Sequence, residues 1–223
     1  MDISADQVRV ALLSLIAFVV SVSVHEFGHA FVADRLGDRL PRMQGRLTLS
    51  PLAHIDPFGT ILLPLLGALM PGGFPMIAWG KPVQTNPNNY TRRLSPRTGH
   101  MLVALAGPAM NLVLAFVISV VFVALGKAGL LKPTLAAAII NYVLGLNIVL
   151  FFFNLLPVPP LDGAAVLAGV LPESVQPALR AVQRYGMFVL FILFMSRALG
   201  FLMRPAYALT DVWASALIRM VAG

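Results

Sequence analysis

Apolar runs long enough to cross a bilayer dominate this sequence. A transmembrane helix needs about 20 mostly apolar residues, and in lipid an isolated segment satisfies its backbone only as a helix. The clearest runs cover residues 8–36, 98–125, 135–156 and 185–203. A further apolar stretch at 206–221 is predicted to be an interfacial helix or a poor span. We therefore predict an all-α polytopic membrane protein with about four to six transmembrane helices.

The composition agrees with a membrane protein. Charged residues make up 11% of the chain and hydrophobic residues 58%, whereas soluble domains carry about 25% charged residues. The net charge of +7 could suggest nucleic acid, but basic residues beside apolar runs are typical of cytoplasmic flanks. We expect a lipid bilayer and no nucleic acid as partner. Because MDISADQ lacks the positive region of a signal peptide, the first run is predicted to be retained as a span.

Cysteine is absent from the chain. Disulfides and thiolate metal sites are therefore excluded, and a zinc site would have to use histidine and carboxylate. The lack of cysteine and the compact size suggest a prokaryotic inner membrane.

The region between the first two spans is irregular. Residues 40–56 contain short alternating runs and Pro/Gly punctuation, which predict short strands and turns. Residues 58–70 are apolar but too short to span comfortably, and 71–75 (PGGFP) turn the chain. We predict a small membrane-associated β-strand and re-entrant region here, which is tolerable only where protein buries its backbone.

Basic residues predict the orientation. They follow the first span and precede the second, which places both segments in the cytoplasm and the N-terminus outside. Lys127 and Lys132 on the outer turn depart from this rule. The flanking residues are Arg35, Arg39, Arg42 and Arg46 after the first span, and Lys81, Arg92, Arg93 and Arg97 before the second.

The pentapeptide HEFGH (25–29) lies in the first span. On a helix, positions i and i+4 share one face, so His25 and His29 can offer two imidazole nitrogens to one ion. Glu26 can serve as general base toward a metal-activated water, as in the HExxH motif of zinc peptidases. A lone histidine on an apolar face is usually a hydrogen-bonded core residue, but three ionisable residues inside a span need a functional reason.

Two histidines leave zinc short of a third protein ligand. Asp162 is the one acidic residue between His100 and Pro172, and it ends the proline-broken stretch NLLPVPPLDG (154–163). By the predicted orientation it lies at the cytoplasmic end, on the side of HEFGH. The alternative is an aspartate that only caps the following helix.

Three motifs together resemble the site-2 protease family of intramembrane zinc metalloproteases: HEFGH, AGPAMN (106–111) and NLLPVPPLDG. The segment GRLTLSPLAHIDPFGT also resembles that family's membrane-associated strand region, and the similarity runs from about residue 8 to 166. The resemblance implies that His25, His29 and Asp162 bind one Zn²⁺, that Glu26 is the catalytic base, and that Asn154 polarises the scissile carbonyl. An asparagine that caps a helix is the alternative for Asn154.

The resemblance also implies one intramembrane metalloprotease domain over residues 1–223. Its catalytic core would cover about 8–166 and its C-terminal helices about 180–223. No long insertion is present that would house a PDZ domain, so a compact member is expected. Transmembrane proteins or peptides would be its substrates, and the oligomeric state is left open.

Other polar residues carry weaker predictions. His54 could approach the site, or it could be a loop histidine with a structural hydrogen bond. His100 is interpreted as interfacial. Asn111 could line the cleft, or AGPAMN could serve only close packing of small residues.

Two other functions fit the sequence less well. A zinc protease of another lineage would use a downstream glutamate, but Glu173 follows a proline outside any span. A metal transporter would need several acidic or histidine sites along a path through the spans, which are otherwise nearly free of them.

If the chain is a protease, the strand edge predicted at 46–49 is expected to hold an extended substrate by β-addition. Leu47→Pro would test this hypothesis: it should reduce cleavage while zinc stays bound.

Overall fold

The computed structural model describes residues 4–69, 78–91, 94–196 and 198–222. Within them the chain is helical and contains no strand. The N-terminal half contains α1 (Ala5–Arg35), α2 (Leu40–Met43), a 3₁₀ turn (Pro51–Ala53), a π-helical segment (Pro57–Leu62), α3 (Leu63–Leu69) and a 3₁₀ turn (Pro87–Asn89). The rest contains α4 (Pro96–Lys127), α5 (Pro133–Ala138), a π-helical segment (Ile139–Leu144), α6 (Gly145–Asn154), α7 (Asp162–Val170), a 3₁₀ turn (Glu173–Val175), α8 (Gln176–Gln183), α9 (Gly186–Met195), α10 (Ala198–Leu202) and α11 (Arg204–Ala222).

In the part of the chain that the structure describes, three helical stretches are long and apolar enough to cross a membrane. They are Ala5–Arg35, Pro96–Lys127 and Leu135–Asn154. A fourth crossing is obtained only if Glu173–Gln183 and Gly186–Met195, which meet at a 63° bend, form one broken span. The prediction of an all-α membrane protein is confirmed, and the described residues give no support for more than four spans.

The two long spans begin where local chemistry requires it. Ser4 caps α1 by accepting from the Gln7 amide, and Gln7 reciprocates to complete a capping box. Ser95 caps α4 by accepting from the Thr98 amide, and Pro96 occupies the first turn, where its missing N–H costs nothing. Each cap therefore fixes the start of a helix that carries part of the site.

Close approach between α1 and α4 depends on small residues. A side chain at Gly28 would meet the backbone carbonyl of Ala106 at 2.6 Å and the Met110 side chain at 2.8 Å. Because a backbone atom cannot move aside cheaply, glycine is required at position 28 for this packing. The AGPAMN motif therefore lies directly against the HEFGH turn of α1.

An apolar core forms where α4, α6 and α11 pack together. Its buried members are Ala115, Phe122, Leu144, Ile148, Ala206, Ala214 and Leu217. The C-terminal stretch that was predicted as interfacial or a poor span is thus a helix packed on the second and third spans. It is not among the helices that qualify as spans.

The predicted strands at 40–56 are wrong for this described segment. Helix α2 and the 3₁₀ turn at Pro51–Ala53 interrupt it, and Arg46 is buried with its guanidinium donating to the backbone carbonyls of Ala53 and Lys81. Side-chain bonds of this kind hold the segment in place of a strand ladder, so the substrate edge expected at 46–49 loses its basis. The alternating pattern at 46–49 covers only four residues and lies between Pro41 and Pro51. Because proline is rarely found inside a sheet, this pattern was too weak to predict a strand.

The stretch predicted to be re-entrant contains a short apolar helical stretch, Pro57–Gly67, and the described residues give no support for a re-entrant loop there. Asp56 caps it by accepting from the amides of Phe58 and Gly59. The predicted turn at 71–75, like Arg92 and Arg93 of the basic flank, lies outside the described residues.

Candidate metal centre and active site

Three predicted ligands meet at one point. His25 and His29 project from the same face of α1, and their Nε2 atoms are 3.0 Å apart. Asp162 Oδ2, at the start of α7, lies 3.1 Å from His25 Nε2 and 3.4 Å from His29 Nε2. Among the described residues this is the one group of three or more metal-binding side chains whose ligand atoms lie within 4.8 Å of one another.

Hydrogen bonds on the far side of each imidazole fix the ring orientation. The Nδ1–H of His29 donates to the Val103 carbonyl at 2.7 Å, and that of His25 donates to Asn111 Oδ1 at 2.8 Å. Both acceptors are oxygens, so the assigned tautomer carries its proton on Nδ1 and leaves the Nε2 lone pair free. Metal-ligating histidines are usually oriented by such partners.

Asn111 belongs to a buried polar network. Its Nδ2 donates to the Ser21 carbonyl at 3.2 Å and to Asn147 Oδ1 at 2.9 Å. Asn147 Nδ2 in turn donates to Ser21 Oγ at 2.9 Å and to the Val143 carbonyl at 2.8 Å. Ser21, Asn111 and Asn147 are fully buried. The network therefore ties the first, second and third spans together directly behind His25.

The donor set fits zinc. Tetrahedral zinc, with bonds of about 2.0–2.1 Å, holds its ligand atoms roughly 3.3 Å apart, and the three separations given above bracket that value. Asp162 Oδ2 is buried and has no hydrogen-bond donor in suitable geometry within the described part of the chain. A buried carboxylate oxygen normally has a partner, and a metal ion at this point supplies one.

Gly107 keeps the metal position open. A Cβ at this position on α4 would overlap the Nε2 atoms of His29 and His25. Glycine is therefore required here by the site itself, in the turn of α4 that follows Val103.

Glu26 lies beside the ligands and is 8% exposed. Its Oε2 accepts a hydrogen bond from the Val83 backbone amide at 2.9 Å. Together with His25, His29, Asp162 and Asn154, it lines a cavity of about 770 Å³. Much of the remaining wall is apolar and comes from α6, α9, α10 and α11.

The other predicted residues are placed as follows. Asn154 lines the cavity, and one N–H of its amide donates to the Leu150 carbonyl of its own helix. His54 is fully buried, its Nε2 lies 2.8 Å from the Thr48 carbonyl, and it is not part of the cavity wall. His100, interpreted as interfacial, lines the cavity. Asn111 stands behind His25 and does not line it.

Sequence reasoning did not find Asn147, Ser21 or the Val83 amide. Asn147 did carry a signal, because an asparagine inside an apolar run is expensive and therefore marks a polar contact. A backbone amide carries no such signal, since any residue except proline supplies one.

The family comparison covers most of the chain. A family model described as "Peptidase family M50" matches residues 13–138 and 126–196. "Putative zinc metalloprotease YwhC" of Bacillus subtilis (strain 168) is 36% identical over 197 residues, which cover 86% of this chain and 84% of that protein. "Putative zinc metalloprotease Rip2" of Mycolicibacterium smegmatis is 34% identical over 207 residues, covering 89% of this chain and 74% of that protein.

The Rip2 protein of Mycobacterium tuberculosis (strain H37Rv) is 32% identical over 208 residues, which cover 91% of this chain and 74% of that protein. No solved structure matches the chain significantly. The resemblance drawn from HEFGH, AGPAMN and NLLPVPPLDG is thus confirmed at the level of the family. The chain belongs to peptidase family M50, the site-2 protease family of membrane zinc metalloproteases.

Proposed function

We propose that this chain hydrolyses peptide bonds of transmembrane proteins within or near the membrane. The observation that carries the proposal is the convergence of His25, His29 and Asp162 with Glu26 on one cavity. Two imidazoles and a carboxylate leave one zinc position open for chemistry, which is typical of catalytic rather than structural zinc.

In this mechanism His25, His29 and Asp162 would hold the ion. Bound there, zinc would supply the acidity of the attacking water and the polarisation of the carbonyl oxygen under attack. Glu26 takes the proton of the attacking water and delivers it to the departing amine nitrogen. One carboxylate oxygen is held by the Val83 amide. The other accepts no hydrogen bond from the described residues, and it would exchange this proton.

Asn154 is proposed to steady the oxyanion that develops on the scissile carbonyl. Its amide nitrogen carries two N–H groups, and one is bound to the Leu150 carbonyl. The second is available to a substrate in the cavity that Asn154 lines. A helix-anchored donor of this kind costs little reorganisation during the reaction.

The apolar cavity wall supports a transmembrane segment as substrate. Met187, Phe194, Leu199 and Tyr207 line the same cavity as the catalytic groups. A helical amide is shielded by its own hydrogen bonds, so the substrate must unwind locally before its peptide bond can reach Glu26. We place the active site toward the cytoplasm of a prokaryotic inner membrane, because basic residues flank the first two spans.

We treat residues 1–223 as one protease domain, with a catalytic core at about 8–166 and C-terminal helices at about 180–223. Two contacts support this arrangement. Helix α11 packs into the core of α4 and α6, and α9 and α10 contribute to the wall of the catalytic cavity.

The test measures zinc content and cleavage of a transmembrane reporter, for wild type and Glu26→Gln. We expect about one zinc per chain in both proteins and cleavage in wild type alone, because glutamine keeps the shape of glutamate but cannot take a proton. Cleavage that survives in Glu26→Gln would falsify the assignment of the base. Wild-type protein that binds zinc but cleaves no membrane substrate would contradict the proposed function.

A further inference from the structure

A segment without regular secondary structure, Trp79–Asn86, lines part of the cavity next to the catalytic carboxylate. We call it the crossing segment. Its Val83 N–H donates to Glu26 Oε2 at 2.9 Å. Within the described residues this is the one hydrogen bond of the Glu26 side chain, so the position of the base depends on where the crossing segment lies. The inference below rests on the proposed role of Glu26.

The first end of the crossing segment is fixed by several bonds. The Thr60 hydroxyl donates to the Trp79 carbonyl at 2.7 Å, and the Lys81 amide donates to the His54 carbonyl at 2.8 Å. The Arg46 guanidinium donates to the Lys81 carbonyl at 3.3 Å. Arg46 and His54 are buried, so these bonds are shielded from competing water.

The second end is fixed by Asp38. Its Oδ2 accepts from the Asn86 amide at 2.6 Å, and its Oδ1 accepts from the Asn89 side chain at 2.9 Å and from the Leu40 amide at 3.2 Å. Asp38 is fully buried. Burying a carboxylate costs free energy unless several hydrogen-bond donors satisfy it, as the three donors do here. Asp38 therefore holds the second end of the crossing segment, unlike an exposed polar residue of a loop.

Asp38 is also attached to the helix that carries the base. Its amide donates to the Ala33 carbonyl at 3.0 Å, in the last turn of α1. Helix α1 therefore presents Glu26 on one side and, through Asp38, holds the segment that hydrogen-bonds Glu26. The position of the hydrogen-bond donor relative to the base is therefore set by contacts that begin and end on α1.

We propose that Asp38 and the Val83 backbone amide are positioning groups for the general base. The amide holds one oxygen of Glu26, and Asp38 holds the segment on which that amide is carried. A glutamate side chain has three rotatable bonds, and a base must be held close to its productive geometry to be effective. Loss of either group leaves the zinc ligands untouched and moves the base.

The experiment compares two variants with two matched controls on the full-length, zinc-loaded protein. Asp38→Asn converts one of the accepting oxygens into a donor, and Val83→Pro removes the N–H that Glu26 accepts. Asp34→Asn is the control on α1, because Asp34 pairs with Arg42 and makes no bond to the crossing segment in the described structure. Gln84→Pro is the control for proline, since the described residues offer the Gln84 backbone N–H no acceptor. Its side-chain oxygen accepts from Gln44 at 2.9 Å, so Gln84→Ala is measured beside it to account for the loss of that bond.

We expect Asp38→Asn and Val83→Pro each to lower kcat by about tenfold, the low end of what loss of an outer-shell partner costs. KM and zinc content are expected to stay within about twofold of wild type, and both controls to keep wild-type kcat. This split separates positioning from a general structural role, which would lower zinc content or raise KM as well.

Unchanged kcat in Asp38→Asn overturns the inference, and so does a loss of kcat that only follows a loss of zinc. If Val83→Pro does not fold, Asp38→Asn alone decides. Glu26→Gln is measured alongside. If that variant is inactive while Asp38→Asn is fully active, the inference fails and the proposed function stands; if Glu26→Gln retains activity, the proposed function itself fails.

Discussion

Replacing Asn111 by leucine should weaken zinc binding although Asn111 touches no metal. Leucine matches asparagine in size but can neither accept from His25 nor donate to Ser21 and Asn147. The change removes three hydrogen bonds, of 2.8, 3.2 and 2.9 Å, at a fully buried position. It leaves the His25 Nδ1–H and Asn147 Oδ1 without these partners.

The magnitude follows from the role of His25. Loss of an outer-shell partner of a ligating histidine typically costs 10–100-fold in metal affinity or activity, which corresponds to about 1.4–2.8 kcal/mol. We expect a loss of zinc affinity in that range, measured by competition with a chelator of known affinity. Protein stability should fall as well, because buried unpaired polar groups cost roughly 1–3 kcal/mol each.

Two companion variants separate orientation of His25 from packing. Ser119→Ala removes another buried polar group from α4, whose one hydrogen bond within the described residues goes to the Ala115 carbonyl of its own helix. This variant should leave zinc affinity unchanged. Asn111→Asp keeps an acceptor for His25 but loses both donations, so it should keep zinc better than leucine does while losing stability. If Asn111→Leu binds zinc as tightly as wild type, the reasoning about the network is refuted.

Two further variants address the metal position directly. Gly107→Ala should abolish zinc binding in a metal-content assay, because its Cβ would overlap the Nε2 atoms of both histidines; Gly200→Ala, where a Cβ meets nothing within 4 Å, is the control, and full zinc content in Gly107→Ala would mean that α4 does not approach the ligands as described. Asp162→Asn should lower zinc affinity at least tenfold while leaving the fold intact by circular dichroism, because a neutral amide replaces the anionic ligand. Unaltered zinc affinity in this variant would exclude Asp162 from the ligand set.

The helical part of the fold and the grouping of the three candidate metal ligands could be predicted because each rests on a strong signal. Apolar runs of spanning length have few alternatives in lipid, and two histidines with i, i+4 spacing must share a helix face. Asp162 could be selected because acidic residues are so scarce in the second half of the chain. The apolar runs and the histidine spacing are local features of the sequence, and the metal site needs only one long-range pairing, that of Asp162 with the two histidines.

The segments between the spans could not be predicted in the same way. The fragment at 46–49 alternates like a strand, but Arg46 is buried and bonded to the carbonyls of Ala53 and Lys81. Tertiary contacts of this kind override a four-residue pattern. The hydrogen bond between Glu26 and Val83 could not be predicted either, because it pairs a side chain with a backbone group far away in the sequence.

The proposed zinc ligands come from the first span and from the residues that follow the third, and this division has a consequence for biogenesis. Membrane helices insert individually and associate afterwards, and a metal that binds only the assembled site stabilises the assembled state. During synthesis, a chain that ends before Asp162 therefore carries both histidines and the proposed base but lacks the third proposed ligand. With this ligand set, the metal site is completed only when the residues that follow the third span have packed against the first span.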